Sequence, residues 1–170
     1  MQGKRPLLAI TMGDPAGVGP EVIAKALDRS EVWDVCRPVV VGDARWMEQA
    51  KRMVGSSRPI RALETPAELE GSEFLPVLDM ANVDADRLVR GRVSAEAGQA
   101  ARDYIQHAVQ LALKDEVAAV VTAPINKEAL HAAGVAYAGH TEMLAALCGV
   151  TDVAMMLVSG KLRVCHVSTH

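Results

Sequence analysis

Short apolar runs alternate with amphipathic stretches along the first half of this chain. Each apolar run is closed by glycine, proline or a polar residue, which is typical of a buried strand, and the stretch after it has helical spacing. Pro76 interrupts the weakest of these runs. The predicted elements are strands at 5–12, 38–43 and 74–80 and helices at 20–27 and 44–55.

The same alternation continues in the second half, where the signals at the ends of helices are stronger. Ser94 is predicted to cap the longest helix and Asn126 a short one that ends before Gly134. Thr141 is predicted to cap a further helix. A β-branched run at 117–124 predicts a buried strand, and the last residues predict two strands joined at Ser159-Gly160. The stretches 56–73 and 82–92 are predicted to be surface connections or edge structure.

This order of elements predicts a layered α/β/α fold with a mostly parallel sheet and an antiparallel pair near the end. The length of 170 residues predicts one domain, 1–170. Ligands of such sheets bind beyond the carboxyl ends of the strands. That rule selects the loop at 13–19, the loop at 122–126 and whatever follows the last strand.

Charge and composition argue against several functional classes. A net charge of −3 argues against nucleic-acid binding, which needs a basic face. No apolar run approaches the roughly 20 residues of a membrane helix, and the N-terminus lacks the pattern of a signal peptide. Cys36, Cys148 and Cys165 are widely spaced and predict buried free thiols, as expected in the cytoplasm.

The sequence GDPAGVGPE at 13–21 is the first stretch that suggests chemistry. It is not a phosphate-binding P-loop, because no lysine follows Gly19 at the required spacing, and it is not the dinucleotide motif GxGxxG, because its glycines run G-xxx-G-x-G. One interpretation is a tight turn between strand and helix. The other is a loop whose backbone approaches a ligand, with Asp14 and Glu21 on either side.

Two later stretches suggest an anionic ligand. In VTAPINKEAL, Lys127 opens a helix where the helix dipole disfavours a cation, although Pro124 and Asn126 are explained by local structure alone. In AGHTEMLA, His140 and Thr141 enter a helix N-terminus, whose free N–H groups bind anions. A purely structural His140 is the alternative.

The end of the chain, RVCHVSTH, places His166, Ser168 and His170 on one face of a predicted strand. Two imidazoles on one face could contribute to a transition-metal site, although two ligands do not complete one. His107 and His131 lie in predicted helices and are expected at the surface. From the residues alone, the chain is an anion-binding α/β protein with a possible metal.

Taken together, MGDPAGVGPE, VTAPINKEAL, AGVAYAGHTEMLA, MML and LRVCHVSTH resemble the 4-hydroxythreonine-4-phosphate dehydrogenase family of pyridoxal-phosphate biosynthesis. The resemblance runs from about residue 6 to the last residue, and it implies the architecture of isocitrate and isopropylmalate dehydrogenases. It also implies that NAD or NADP, with a divalent metal (Zn, Mg, Mn or Co), oxidises the hydroxyl of a 4-phosphorylated four-carbon hydroxy acid such as 4-phosphohydroxy-L-threonine, and that the product loses CO2.

The resemblance also implies roles for particular residues. His140 and Thr141 match a substrate-binding pair, and His170 matches the first of three metal-ligand histidines, whereas His166 matches none. Gly13 and Asp14 lie in the loop at the cofactor and substrate cleft. A homodimer that shares its site between subunits is implied, and no general base is assigned.

Two alternatives stay open. Relatives in the same family act on D-threonate or D-erythronate 4-phosphate, or on aromatic cis-dihydrodiols. The resemblance covers the N-terminal half of the family, and the other two metal histidines of the family lie in its second half. We therefore expect the sequence to be either part of a longer protein or a truncated chain that cannot complete the site. A non-catalytic fragment that holds phosphate through His140 and Thr141 is therefore the rival interpretation.

Overall fold

The computed structural model describes residues 5–137 and 139–166. The chain divides into two compact units, Met1–Ala136 and Tyr137–His170. Among the described residues no helix combines the length and the apolar character needed to cross a membrane.

The first unit alternates strands and helices, as the hydrophobic pattern predicts. Its elements are β1 (Leu7–Thr11), α1 (Gly19–Leu27), α2 (Ser30–Val35), β2 (Arg37–Gly42), α3 (Ala44–Met53), β3 (Ile60–Leu63), β4 (Leu75–Asp79), α4 (Ala95–Leu113), β5 (Ala119–Thr122) and α5 (Lys127–Ala132), with a short 3₁₀ turn at Pro66–Glu68. The short helix α2 and the strand β3 were not predicted as such.

The five strands of the first unit form one parallel sheet in the order β3-β4-β2-β1-β5. The central strand β2 and its neighbour β4 are the most deeply buried, with Val39, Val40 and Val41 of β2 completely inaccessible. A parallel sheet of this kind is normally covered on both faces, because its crossover connections carry helices. The predicted layered α/β/α fold with a mostly parallel sheet is confirmed.

Pro76 lies within β4 without interrupting it. On one side Pro76 pairs with Arg61 of β3, and on the other side pairing with β2 starts only at Val77. A proline has no N–H to donate to a neighbouring strand. The start of β4 therefore pairs with β3 alone, and the sheet becomes continuous one residue later.

Helices of the first unit approach each other closely at α4 and α5. A Cβ atom at Gly98 of α4 would overlap the carbonyl oxygen of Ala129 in α5. Because α4 also packs against β1, β2 and β5, this contact connects α5 to the centre of the sheet. Ser94 caps α4, its Oγ accepting the N–H of Ala97 at 3.1 Å, as predicted.

The second unit contains one helix and a hairpin. Helix α6 (His140–Cys148) is followed by β6 (Met156–Ser159) and β7 (Leu162–Cys165), which pair antiparallel around a turn with Gly160 at a φ of 56°. The predicted antiparallel pair is confirmed, and it forms a separate two-stranded sheet.

Two predictions for the second unit are wrong. Thr141 does not cap α6, because the helix already begins at His140 and Gly139 stands at the N-cap. Cys148 and Cys165 are exposed rather than buried, since the hairpin presents both of its faces and Cys148 lies in the last turn of α6. Only the prediction for Cys36 is confirmed, and burial raises the pKa of that thiol.

Candidate functional site

The glycine-rich loop (residues 12–18) connects β1 to α1 at the carboxyl end of the sheet. Gly13 has a φ of 73°, and a Cβ there would overlap the carbonyl oxygen of Pro124. The same oxygen accepts the N–H of Asp14 at 3.0 Å. The loops after β1 and β5, both selected from the sequence, are therefore in direct contact, and only glycine allows that approach.

Asp14 turns inward within the glycine-rich loop. Asp14 is 4% exposed, and its Oδ1 accepts the N–H of Ala16 at 2.8 Å. Burial raises the pKa of Asp14, and backbone N–H groups of Ala16 and Gly17 oppose that rise. The exposed part of the loop is Val18, with Gly17 half-buried.

Two carboxylates organise the loops after β2 and β4. Asp43 caps α3 by accepting the N–H of Trp46 at 2.9 Å, and its other oxygen accepts the N–H of Val83 at 3.3 Å. Asp79 accepts the N–H groups of Ala44 and Ala81 at 3.0 and 3.1 Å. The ends of these neighbouring strands are thus joined by hydrogen bonds to side chains.

Unpartnered polar atoms are concentrated around the same strand ends. The side-chain amide of Asn82 and the hydroxyl groups of Thr11 and Tyr104 are buried without a partner among the described residues. Asn82 follows Ala81, whose φ of 45° is unusual for a residue with a Cβ. Burial raises the pKa of Tyr104 far above its ordinary value. Such strained and unsatisfied groups are commoner at functional sites than elsewhere.

An ion pair connects this edge of the sheet to α1. Nη1 of Arg90 donates to Oε1 of Glu21 at 2.8 Å, and both side chains are largely buried. The guanidinium also lies 4.3 Å from the centre of the Trp46 ring. Glu21 stands out in the sequence, whereas Arg90 and Trp46 do not, because 69 residues separate Arg90 from its partner.

The loop after β5 leads directly into α5. Asn126 caps this helix as predicted, its Oδ1 accepting the N–H of Ala129 at 3.1 Å. Gly134 follows its end with a φ of 75°. Lys127, the first residue of the helix, is exposed and therefore accessible to a ligand.

The start of α6 is the second candidate binding element, and it belongs to the second unit. Gly139 at the N-cap offers no side chain to the first turn, and Thr141 is exposed. The N–H groups of a first turn without a capping side chain attract anions. Thr141 also lines a groove of about 270 Å³ with Leu144, Cys148 and Met155.

His140 is the first residue of α6 and is half-buried. Its Nε2 is inaccessible and has no hydrogen-bond partner among the described residues. Burial lowers the pKa of His140, so its imidazole is neutral at neutral pH and can donate or accept a hydrogen bond. His131 is exposed as predicted, whereas His107 is half-buried and its pKa is lowered mainly by burial.

The predicted metal ligand, His170, lies outside the described residues, as does Ser168. His166 is exposed just beyond the end of β7. Within 5–137 and 139–166 no three or more histidine, cysteine, aspartate or glutamate side chains come together to hold a metal ion. The described part of the chain therefore does not build a metal site by itself.

These features define a class of protein: a layered α/β protein whose strand-end loops carry the polar and strained residues expected of a ligand site. The family model described as pyridoxal phosphate biosynthetic protein PdxA matches residues 34–170. The chain belongs to this family, which confirms the resemblance seen in the sequence.

Individual relatives are named as dehydrogenases. The chain is 49% identical to a D-threonate 4-phosphate dehydrogenase of Cupriavidus necator, over 97% of this chain and 50% of the relative. It is 41% identical to a 4-hydroxythreonine-4-phosphate dehydrogenase of Trichlorobacter lovleyi, over 100% of this chain and 51% of the relative. The crystal structure of a 4-hydroxythreonine-4-phosphate dehydrogenase from Burkholderia phymatum superimposes with a TM-score of 0.94 at 48% identity, over 99% of this chain and 51% of that one. The chain thus spans about half the length of the relatives it matches.

Proposed function

We propose that this chain forms part of an NAD- or NADP-dependent dehydrogenase that oxidises a hydroxyl group of a 4-phosphorylated four-carbon hydroxy acid. Membership of the family is the observation that carries the proposal. The uncapped start of α6 supports it, because a phosphate group is the kind of ligand that such a helix start attracts. The first substrate proposed is 4-phosphohydroxy-L-threonine, whose oxidation product then loses CO2.

A second substrate, D-threonate 4-phosphate, is favoured by a specific observation. The relative that is 49% identical carries that activity in its name. D-Erythronate 4-phosphate is a diastereomer of this substrate and belongs to the same test. All three acids share a terminal phosphate and a hydroxyl group at C3, and 4-phosphohydroxy-L-threonine carries an amino group where the other two carry the C2 hydroxyl. The residues that bind the phosphate can therefore be the same for all three.

His140 and Thr141 are proposed to bind the substrate. Thr141 offers an exposed hydroxyl at the start of α6, and the neutral imidazole of His140 offers a hydrogen bond without adding charge. Together with the N–H groups of the first turn, they would hold the phosphate or a neighbouring oxygen and fix the orientation of the acid.

Gly13 and Asp14 are proposed to help bind the nicotinamide cofactor, which accepts a hydride from the substrate carbon. Both residues are buried, and their described contacts are with the chain itself. Their proposed contribution is to fix the course of the glycine-rich loop, so that the exposed backbone at Gly17 and Val18 borders the cofactor. The loop fits this role because its outer face carries no charge and the acidic Glu21 behind it is paired with Arg90.

A divalent metal, Zn, Mg, Mn or Co, is proposed with His170 as one ligand. A bound dication would lower the pKa of the substrate hydroxyl and stabilise negative charge formed on loss of CO2. Residues 5–137 and 139–166 bring no group of three or more candidate ligand side chains together, and the remaining ligands are proposed to come from elsewhere in the assembly.

A homodimer is proposed as that assembly, and the hairpin supports it. All eight residues of β6 and β7 are exposed, among them Leu157, Val158 and Leu162 at 54, 60 and 65%. An isolated two-stranded hairpin with apolar residues on its surface is only marginally stable. We expect Val158→Lys to shift the protein towards monomer in sedimentation experiments, whereas Val35→Lys, at an exposed apolar position of α2, leaves its mass unchanged.

The protein is also proposed to act in the cytoplasm. Cys148 and Cys165 are exposed free thiols, which a reducing compartment preserves. Labelling of these thiols in protein taken directly from cells, before and after reduction, tests this: equal labelling is expected.

The central experiment measures formation of reduced nicotinamide at 340 nm with each of the four metals and the three phosphorylated acids. Turnover on one acid identifies the substrate. Absence of turnover, together with protection of the folded chain by inorganic phosphate against urea, would favour the rival interpretation of a non-catalytic phosphate-binding protein.

The role of His140 has its own test. We expect His140→Ala to raise the KM for the phosphorylated acid roughly tenfold, the usual effect of losing a hydrogen bond to a charged group. The urea midpoint should change little. His131→Ala is the matched control, because His131 is an exposed histidine of α5. Equal kinetics for wild type and His140→Ala would contradict the assignment.

A further inference from the structure

The segment between β4 and α4, residues 80–94 and here called the crossing segment, touches the glycine-rich loop at one point. Its Gly91 donates an N–H to the carbonyl oxygen of Ala16 at 2.7 Å. The neighbouring residue, Arg90, pairs with Glu21 in the first turn of α1. The crossing segment therefore reaches both the glycine-rich loop and the helix that follows it.

Trp46 also contacts the glycine-rich loop. It is 1% exposed, and its indole N–H donates to the carbonyl oxygen of Pro15. Because the guanidinium of Arg90 lies 4.3 Å from the centre of the Trp46 ring, Arg90 contacts a residue that binds the loop as well as a residue that follows it. A cation over an indole ring is attracted by the ring's electrons.

Stability alone does not account for this ion pair. The Glu21 and Arg90 side chains are 18 and 23% exposed, so both charges have lost most of their hydration. Only one hydrogen bond joins them, and both Oε2 of Glu21 and Nη2 of Arg90 are buried without a partner among the described residues. A desolvated pair with unsatisfied atoms contributes little to stability, but it defines a geometry.

We propose that Arg90 is a positioning residue: by joining Glu21, the Trp46 ring and, through Gly91, Ala16, it fixes the glycine-rich loop against α1. The proposal rests on the proposed function, because the loop matters for activity only if it borders the cofactor. Arg90 acts through the loop and touches neither substrate nor cofactor. Its planar guanidinium can stack on an indole and donate within its own plane at once, which a lysine cannot do.

Hydrogen exchange of the folded protein tests the proposal without any ligand. In Arg90→Met, which keeps an apolar stem, we expect the hydrogen-bonded amides of Asp14, Ala16 and Gly17 to exchange at least about tenfold faster than in wild type, as a local opening. The amides of β2 at 39–42 should keep their rates. Arg90→Lys should give an intermediate rate. Arg87→Met is the matched control, since Arg87 is an exposed arginine of the same segment, and it should leave the loop unchanged.

If Arg90→Met fails to fold, Glu21→Gln provides the second variant, because an amide oxygen still accepts from Arg90 while the charge attraction is lost. We expect it to increase exchange of the loop by a smaller factor. Unchanged loop exchange in both folded variants overturns the proposal. Exchange that rises equally in the loop and in β2 also overturns it, because that result shows a general loss of stability.

Kinetics then separate positioning from folding. We expect Arg90→Met to raise the KM for the nicotinamide cofactor several-fold while the KM for the phosphorylated acid stays within error. A smaller folded fraction would lower kcat alone and contradict a positioning role. If the wild-type chain shows no turnover and no binding of reduced nicotinamide by fluorescence, the proposed function fails, and the exchange experiment still decides the role of Arg90.

Discussion

The two units of this chain differ in how far their apolar residues are buried. In the first unit the strands β2 and β4 bury nearly all of theirs, and Val40, Leu75 and Val77 have no accessible surface. In the second unit every residue of the hairpin is exposed, including Met156, Leu157 and Leu162. Since burial of apolar surface is the main stabilising contribution, we expect most of the free energy of unfolding to come from the first unit.

The largest expected effect compares one leucine from each unit. Leu75→Ala removes a fully buried side chain of β4 and is expected to lower the free energy of unfolding by about 2–5 kcal/mol. Leu157→Ala, at a side chain 54% exposed, should change it by no more than about 0.5 kcal/mol in dilute protein. Urea unfolding measures both. Similar losses in the two variants would break the contrast between the units.

The second prediction concerns the close packing of loops within the first unit. Gly13→Ala introduces a Cβ both at positive φ and against the Pro124 carbonyl oxygen, and we expect a loss of about 3 kcal/mol. Gly55→Ala is the control: its φ of 71° is nearly the same, but nothing lies within 4 Å. It should lose only about 1 kcal/mol. Equal losses would show that φ alone requires glycine at residue 13.

The third prediction is a gain in stability from a substitution in the core of the first unit, and it is smaller in size than the two losses. The buried hydroxyl of Tyr104 has no partner among the described residues, and burying such a group is unfavourable. Tyr104→Phe keeps the ring and should raise the free energy of unfolding by about 1 kcal/mol. Thermal unfolding measures the change. A lower melting temperature would mean that the hydroxyl contributes a favourable hydrogen bond.

The smallest effect depends on pH. Burial raises the pKa of Asp14 in the folded state above its unfolded value, so the folded protein holds this proton more tightly. The contribution of Asp14 to stability therefore falls as pH rises through its folded pKa, and Asp14→Asn removes that fall. The variant's amide oxygen can still accept the N–H of Ala16.

The difference in free energy of unfolding between Asp14→Asn and wild type should favour the variant more at about pH 7 than at about pH 4. Urea unfolding of both proteins at each pH measures this difference. Asp34→Asn, which removes an exposed carboxyl group of α2, is the control for the loss of one negative charge. The reverse order for Asp14→Asn would mean that hydrogen bonds to the carboxylate outweigh its burial.

Elements with local signals could be predicted from the sequence. Ser94 and Asn126 cap helices as expected, because the side chain and the N–H group it binds lie three residues apart. Helix α2 lacks such a signal, since Arg29 stands at its N-cap. Strand β3 was missed because only its last residue, Leu63, is buried, as suits the edge of a sheet.

Only those parts of the candidate site that have a local signal in the sequence could be predicted. The loops after β1 and β5 could be selected because the carboxyl ends of parallel strands meet at one edge. Their contact through Pro124, and the connection of Arg90 to Glu21 and Trp46, depend on the order of the strands and on the path of the crossing segment. Neither follows from local spacing, so a stretch interpreted as a surface connection proved to hold Arg90.

The contact between Gly98 and Ala129 has a mechanical consequence for the candidate site. Where side chains separate two helices, one helix can shift when those side chains change their rotamers. At Gly98 the backbone of α4 meets the backbone of α5, so no side chain at this point can change its rotamer to let the helices shift. We therefore expect Asn126 and Lys127, at the start of α5, to move little relative to α4.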